Sequence, residues 1–162
     1  MQRRPAGFTL LEVLVVVAIG ATLTALVMLR VGQWRPADDV AGQLERVAGL
    51  VQAQCEQAMF QSRPRGVRIH PDGYDFWQLL ADGWAPMTGE RLDRNREWAG
   101  AVRPELLIEG HRVDLDQPAA APQIVCQPLG ELTGFELRLI GPGERRALVG
   151  TPSGRIEMAR AR

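Results

Sequence analysis

The sequence has no lysine. All nineteen of its basic residues are arginines, a bias that codon usage explains before chemistry does. They meet nineteen aspartates and glutamates, so the formal net charge is zero. Binding to phosphate chains needs a net basic footprint, which a balanced chain lacks, so nucleic acid is not an expected partner. Cysteine is scarce too. Cys55 and Cys126 are the two present. Without a CxxC pair or a Cys/His cluster, the ligand spacing of a zinc site is missing. The histidines, His70 and His111, stand far apart in strand-like contexts, where an imidazole is ordinarily a half-exposed strand residue and not a catalyst. No GxSxG, Walker or GxGxxG stretch occurs, which excludes the usual nucleophile elbow and nucleotide cradles. A membrane-anchored enzyme would need a polar pocket with a nucleophile or paired acids, and no such cluster is visible. No catalytic residue, cofactor or metal is expected.

What the sequence does have is one long apolar run. Phe8 to Leu29 holds 22 residues with a single charge, Glu12. As a helix rising about 1.5 Å per residue it would reach about 33 Å, against a bilayer core of about 30 Å. Arg3 and Arg4 precede it, and Arg30 and Arg35 follow, so flanking charge orients it only weakly. A cleaved secretory signal would have a shorter apolar stretch and a small-x-small site after it. A plain signal anchor accounts for everything except Glu12. A carboxylate inside a bilayer costs about 2.5–3.5 kcal/mol on insertion scales, and such residues are functional by default. Cutting the chain between Gly7 and Phe8 would create an amino group one helical turn before Glu12. The amine of a neighbouring copy could serve as well.

The stretch G-F-T-L-L-E-V-L-V-V-V-A-I-G resembles the cleavage and assembly signal of type IV pilins and type II secretion pseudopilins. The resemblance implies that the short basic leader, MQRRPAG, is cut after Gly7 by a prepilin peptidase. It implies that Phe8 becomes the methylated N-terminus, and that Glu12, fifth in the mature chain, registers the subunit in a helical filament.

Beyond this run the pattern changes. Trp34 and Pro36 interrupt the helix or bend it, and Asp38 and Asp39 suit a new helix start. Leu44, Ala48, Val51, Cys55, Ala58 and Met59 then recur at three- and four-residue steps, which predicts an amphipathic helix to about Ser62, with Cys55 buried. Arg63-Pro64 stops it. The two helical stretches are either separate or one long bent helix. From residue 65 the helical period disappears. Short alternating runs between turns such as Pro71-Asp72-Gly73, Ala81-Asp82-Gly83 and Pro142-Gly143 predict seven or eight antiparallel strands. Phe135, Leu137 and Leu139 should face inward, with Glu136 and Arg138 outward. Residues 88–100 read as a mobile loop. The expected fold is α+β: a long N-terminal helix, transmembrane in its first half and amphipathic in its second, packed on an antiparallel β-sandwich-like domain. The expected boundaries are a leader at 1–7, a membrane and filament-core helix at 8–30, its amphipathic continuation at 31–64, and a β domain at 65–162.

Four stretches of the globular part resemble the minor pseudopilin H family of type II secretion, also called general secretion pathway protein H. They are A-M-F-Q-S-R-P-R-G-V from Ala58, G-Y-D-F with W-A-P between Gly73 and Pro86, the leucine-rich hairpin Leu106–Leu115, and P-L-G-E-L-T-G-F-E-L-R-L from Pro128. Gly134 departs from the proline often found there. The resemblance implies a structural subunit at or near the tip of a periplasmic pseudopilus. It would be anchored in the inner membrane, bound to the minor pseudopilins I, J and K and to the major pseudopilin G, and would aid export of folded exoproteins. The FimT and FimU minor pilins of type IV pili share part of the pattern. They supply the alternative, a pilus or DNA-uptake subunit, for which the basic end Arg155, Arg160 and Arg162 would be the DNA contact. Glu157 among those arginines favours a solvated tail.

A periplasmic domain makes a Cys55–Cys126 disulfide chemically allowed. Two buried free thiols are equally consistent with the residues, and the sequence leans that way because spacing does not show that the side chains face each other. Trp34 suits a membrane interface. Trp77 and Trp84 suit the core or a sheet surface. Trp98 is the tryptophan best placed for a partner contact, although folding back onto its own domain is the simpler expectation. Asp114 and Asp116 alternate along one strand and lack the further oxygens a cation needs.

Overall fold

The fold was examined in a computed structural model, which describes residues 10–31, 39–89 and 92–160. The chain divides into two units, residues 1–36 and 37–162. In the first, helix α1 spans Leu10–Val31. The described side chains from Leu10 to Thr22 are all exposed, and most are Leu, Val or Ile. Thr22, the one hydroxyl among them, donates back to the carbonyls of Ala18 and Ile19 at 3.1 and 2.8 Å, so its polarity is satisfied within the helix. Among the described residues no helix is long and apolar enough to cross a membrane. The expected span from Phe8 begins outside them.

The second unit is built on helix α2, Val40–Gln61. Asp39 caps it, its carboxylate accepting from the Gly42 amide at 2.5 Å, which satisfies one of the helix's orphan donors. Ser62 ends it in the left-handed region (φ 51°), just before the proline that forbids continuation. Leu44, Val47, Val51 and Ala58 form the buried stripe. Met59, expected on that stripe, is exposed, and Cys55 is half-buried. Their places go to Gln43 and Gln54, which are buried because each has defined partners.

Among the described residues ten strands follow, three of them only two or three residues long: β1 Arg65–His70, β2 Gly73–Leu80, β3 Gly83–Pro86, β4 Arg96–Glu97, β5 Arg103–Ile108, β6 His111–Val113, β7 Ile124–Cys126, β8 Phe135–Gly141, β9 Glu144–Gly150 and β10 Ile156–Arg160. They form two antiparallel sheets. One runs β3-β2-β1-β7 with β4 paired to β2, and the other runs β10-β9-β8-β5-β6. Helix α2 packs on strands of both sheets. A single core therefore joins Val47 and Val51 of α2, Val67 and Phe76 of one sheet, and Leu106, Leu137 and Leu148 of the other. Phe135, Leu137 and Leu139 point into it, while Glu136 and Arg138 face out and pair at 2.7 Å.

Candidate functional site

Two places carry the candidate site residues: the start of α1 and the face of the domain around the β3–β5 connection. Gly7 and Phe8 lie outside the described residues, as do Trp34 and Arg162. Glu12 is in the first turn of α1, where the helix macrodipole favours an anion. That is a local reason for a carboxylate here, and the apolar pattern alone did not reveal it. The residues around it, Leu10, Leu11, Val13 and Leu14, are exposed, Leu10 to 83%. A helix apolar on every side is stable only where lipid or like helices cover it.

In the domain, Cys55 and Cys126 form a disulfide with their Cα atoms 4.9 Å apart. The leaning toward free thiols is corrected by the approach of β7 to α2, a non-local contact that spacing does not encode. The bridge fixes the C-terminal half of the helix to the edge strand of the first sheet.

Within the stretch 88–100, expected as a mobile loop, residues 93–99 are fastened to the domain. Asp93 accepts from Gln54 Nε2 at 2.7 Å and from Arg65 Nη1 at 3.3 Å. Arg65 in turn donates to the side-chain oxygens of Gln54 and Gln61 at 2.8 and 3.0 Å. Its buried guanidinium therefore ties α2, β1 and the loop together. Trp98 packs against Tyr74 at a tilt of 43° with ring centroids 5.0 Å apart and donates to the His70 carbonyl at 3.2 Å. This tryptophan is folded onto its own domain and is half-buried, so as an exposed partner contact it is withdrawn. Gln43 reads both backbone groups of Ala99 with its amide, at 2.9 and 3.0 Å. Between these anchors β4 pairs with Gly73 and Tyr74. Gly73 permits this because a Cβ there would collide with the Arg96 carbonyl oxygen.

Other sequence candidates are local. Asp114 accepts from the Asp116 amide at 3.1 Å and from Gln117 Nε2 at 3.0 Å, which makes it a turn residue. Among the described residues no group of acids, histidines and cysteines could hold a metal. Trp77 is buried and donates to Asp75 at 2.7 Å, under the Arg68 guanidinium. Trp84 lies half-exposed on the edge strand β3. Arg155 is exposed and faces Glu157 at 3.7 Å. His111 is exposed in the β5–β6 hairpin, and His70 is half-buried in β1.

Burial raises the Tyr74 phenol above its ordinary value, against the pull of Arg96, Arg46 and Arg94. Those three arginines were not anticipated as a group. The only hint in the sequence is the density of charge between residues 90 and 97.

The comparisons with known proteins fall in line with these features. Residues 2–28 match the family described as the prokaryotic N-terminal methylation motif. Type II secretion system protein H of Pectobacterium carotovorum subsp. carotovorum is 31% identical, covering 90% of this chain and 86% of its own. The protein of the same name from Pseudomonas aeruginosa is 30% identical, with 98% and 99% covered. In fold, the domain resembles the minor pseudopilin EpsH from the type 2 secretion system of Vibrio cholerae (TM-score 0.61, 21% identity, 76% of this chain and 98% of that one). It also resembles GspH of E. coli, solved in solution (TM-score 0.59, 20% identity, 77% and 94%). With the relatives matched along nearly their whole length, the chain belongs to the type II secretion system protein H family.

Proposed function

We propose that the chain is a minor pseudopilin, a structural subunit at or near the tip of the type II secretion pseudopilus. One observation carries this: a helix with apolar side chains exposed on every described side and Glu12 in its first turn, on a chain that also carries a compact disulfide-bonded domain. An apolar helix of this kind is first held by lipid and then by the helices of neighbouring subunits. Prepilin peptidase removes residues 1–7 between Gly7 and Phe8, and Phe8 is methylated. The α-amino group of Phe8, or that of the adjoining subunit, meets the Glu12 carboxylate and sets the axial register. The run from Phe8 to Leu29 anchors the unassembled subunit in the inner membrane with the β domain in the periplasm, the compartment in which a disulfide persists. Its partners are the minor pseudopilins I, J and K and the major pseudopilin G. The protein is a structural part and not a catalyst.

The test is the intact mass of the protein from membranes with and without prepilin peptidase, together with secretion by a Glu12→Arg strain. The expected result is loss of residues 1–7 plus one methyl group, dependent on the peptidase, and blocked exoprotein release with twitching and DNA uptake unchanged. An uncut chain, or a cut beyond residue 20, would overturn the filament reading. Lost DNA uptake with normal secretion would move the protein to the type IV pilus alternative.

A further inference from the structure

Three arginines reach one concave surface from two different elements. Arg46 comes from the second turn of α2, Arg94 precedes β4, and Arg96 opens it. With Leu50, His70 and Asp72 they line a cavity of about 890 Å³. Arg46 and Arg94 are exposed, and neither enters an ion pair among the described residues. Arg96 is half-buried. Its guanidinium lies over the Phe76 ring at 5.6 Å and donates to the Arg94 carbonyl at 2.8 Å, so it is held in place. Burial lowers its affinity for the proton; Tyr74 and Asp93 act against this and Arg94 and Arg46 with it.

Gathering like charges at a partly dry surface is unfavourable for the isolated domain. Yet the segment that carries two of them is fastened on both sides, through Asp93 to Gln54 and Arg65 and through Ala99 to Gln43. The backbone that carries Arg94 and Arg96 is thereby fixed, and the Arg96 guanidinium with it.

We propose that this arginine-lined concavity is the docking site for a carboxylate-bearing segment of a neighbouring protein subunit. The guanidinium fork matches a carboxylate with two parallel hydrogen bonds, and Arg46 and Arg94 stand exposed to offer it. A continuous phosphate chain fits less well. Asp72 and Glu97 stand on the same rim, where they repel a polyanion but leave room for one or two carboxylates. The zero net charge of the chain gives no wider field to attract one. The proposal rests on the pseudopilin reading only in taking the neighbour to be another subunit of the filament.

The experiment uses the full chain in neutral detergent and a fluorescent peptide carrying two glutamates and no other charge, read by anisotropy. Phosphatidylglycerol vesicles and a single-stranded oligothymidine serve as rival probes. The variant is R46E/R94E. The control, R145E/R155E, makes the same charge change at exposed positions on the other sheet. Near-ultraviolet circular dichroism and the intact disulfide verify that both are folded. The site predicts peptide binding that weakens with salt and falls by about tenfold or more in R46E/R94E but not in the control. Absence of peptide binding, an equal loss in both variants, or a preference for the vesicles or the oligonucleotide would overturn it. Secretion separates this proposal from the one it builds on. If Glu12→Arg blocks export and R46E/R94E does not, the pseudopilin stands and the docking site falls.

Discussion

Tyr74 is the only tyrosine in the chain, so its ionisation can be read alone. Its ring is buried between Phe76, at a centroid distance of 5.9 Å, and Trp98. Burial penalises the phenolate more than the nearby Arg96, Arg46 and Arg94 favour it, and the folded pKa lies above the ordinary 10.0. A group whose folded pKa is raised contributes stability that is complete below the unfolded pKa and is lost as pH rises through the folded one. The expected outcome is a phenolate absorbance titration with its midpoint above about 10, accompanied by falling stability over the same range. Tyr74→Phe should lack that fall. A midpoint below 10 would mean that the arginines outweigh burial. The sequence placed Tyr74 in a strand, but not under Trp98. That contact depends on where residues 92–99 return to the sheet, which no local pattern encodes.

At the scale of elements, what was legible followed from periodicity. Leu44, Val51 and Ala58 on the stripe of α2, its stop at Arg63-Pro64 and the inward face of β8 are local patterns, and the structure keeps them, whereas Met59 turns outward. What was missed depends on long-range partners. Strand β4 is two residues long and exists only through its pairing with Gly73 and Tyr74. Gln43 and Gln54 are buried through partners 56 and 39 residues away, which no local pattern shows. The disulfide is the largest such case, joining residues 71 apart. Closing a loop of that length restricts the unfolded chain and should contribute about 4 kcal/mol. Urea unfolding of the oxidised protein against a Cys55→Ser/Cys126→Ser variant measures it. The expected result is a lower midpoint for the variant and a loss approaching that figure. No change in midpoint would mean that packing of Cys126, which is 1% exposed, carries the contact without the bond.

For the molecule as a whole, the two units use their apolar residues differently. Every residue of the hydrophobic core lies at or beyond Val40, and about 125 residues suffice for one such core. The disulfide, the Arg65 network and both sheets fall within residues 37–162 as well. None of the described side chains of α1 from Leu10 to Thr22 is buried, so that stretch presents its apolar surface outward. The domain's stability should therefore not depend on it. Residues 37–162, exported to the periplasm without the N-terminal unit, should be monomeric, disulfide-bonded and cooperatively folded. The full chain should require detergent. Matching urea midpoints for the two, measured in the same neutral detergent, would locate all the folding free energy in the domain and leave α1 free for assembly. A truncated domain that aggregates or unfolds gradually would show instead that α1 completes the core. The two-part economy of an apolar stem carrying an independently folded head would then be lost.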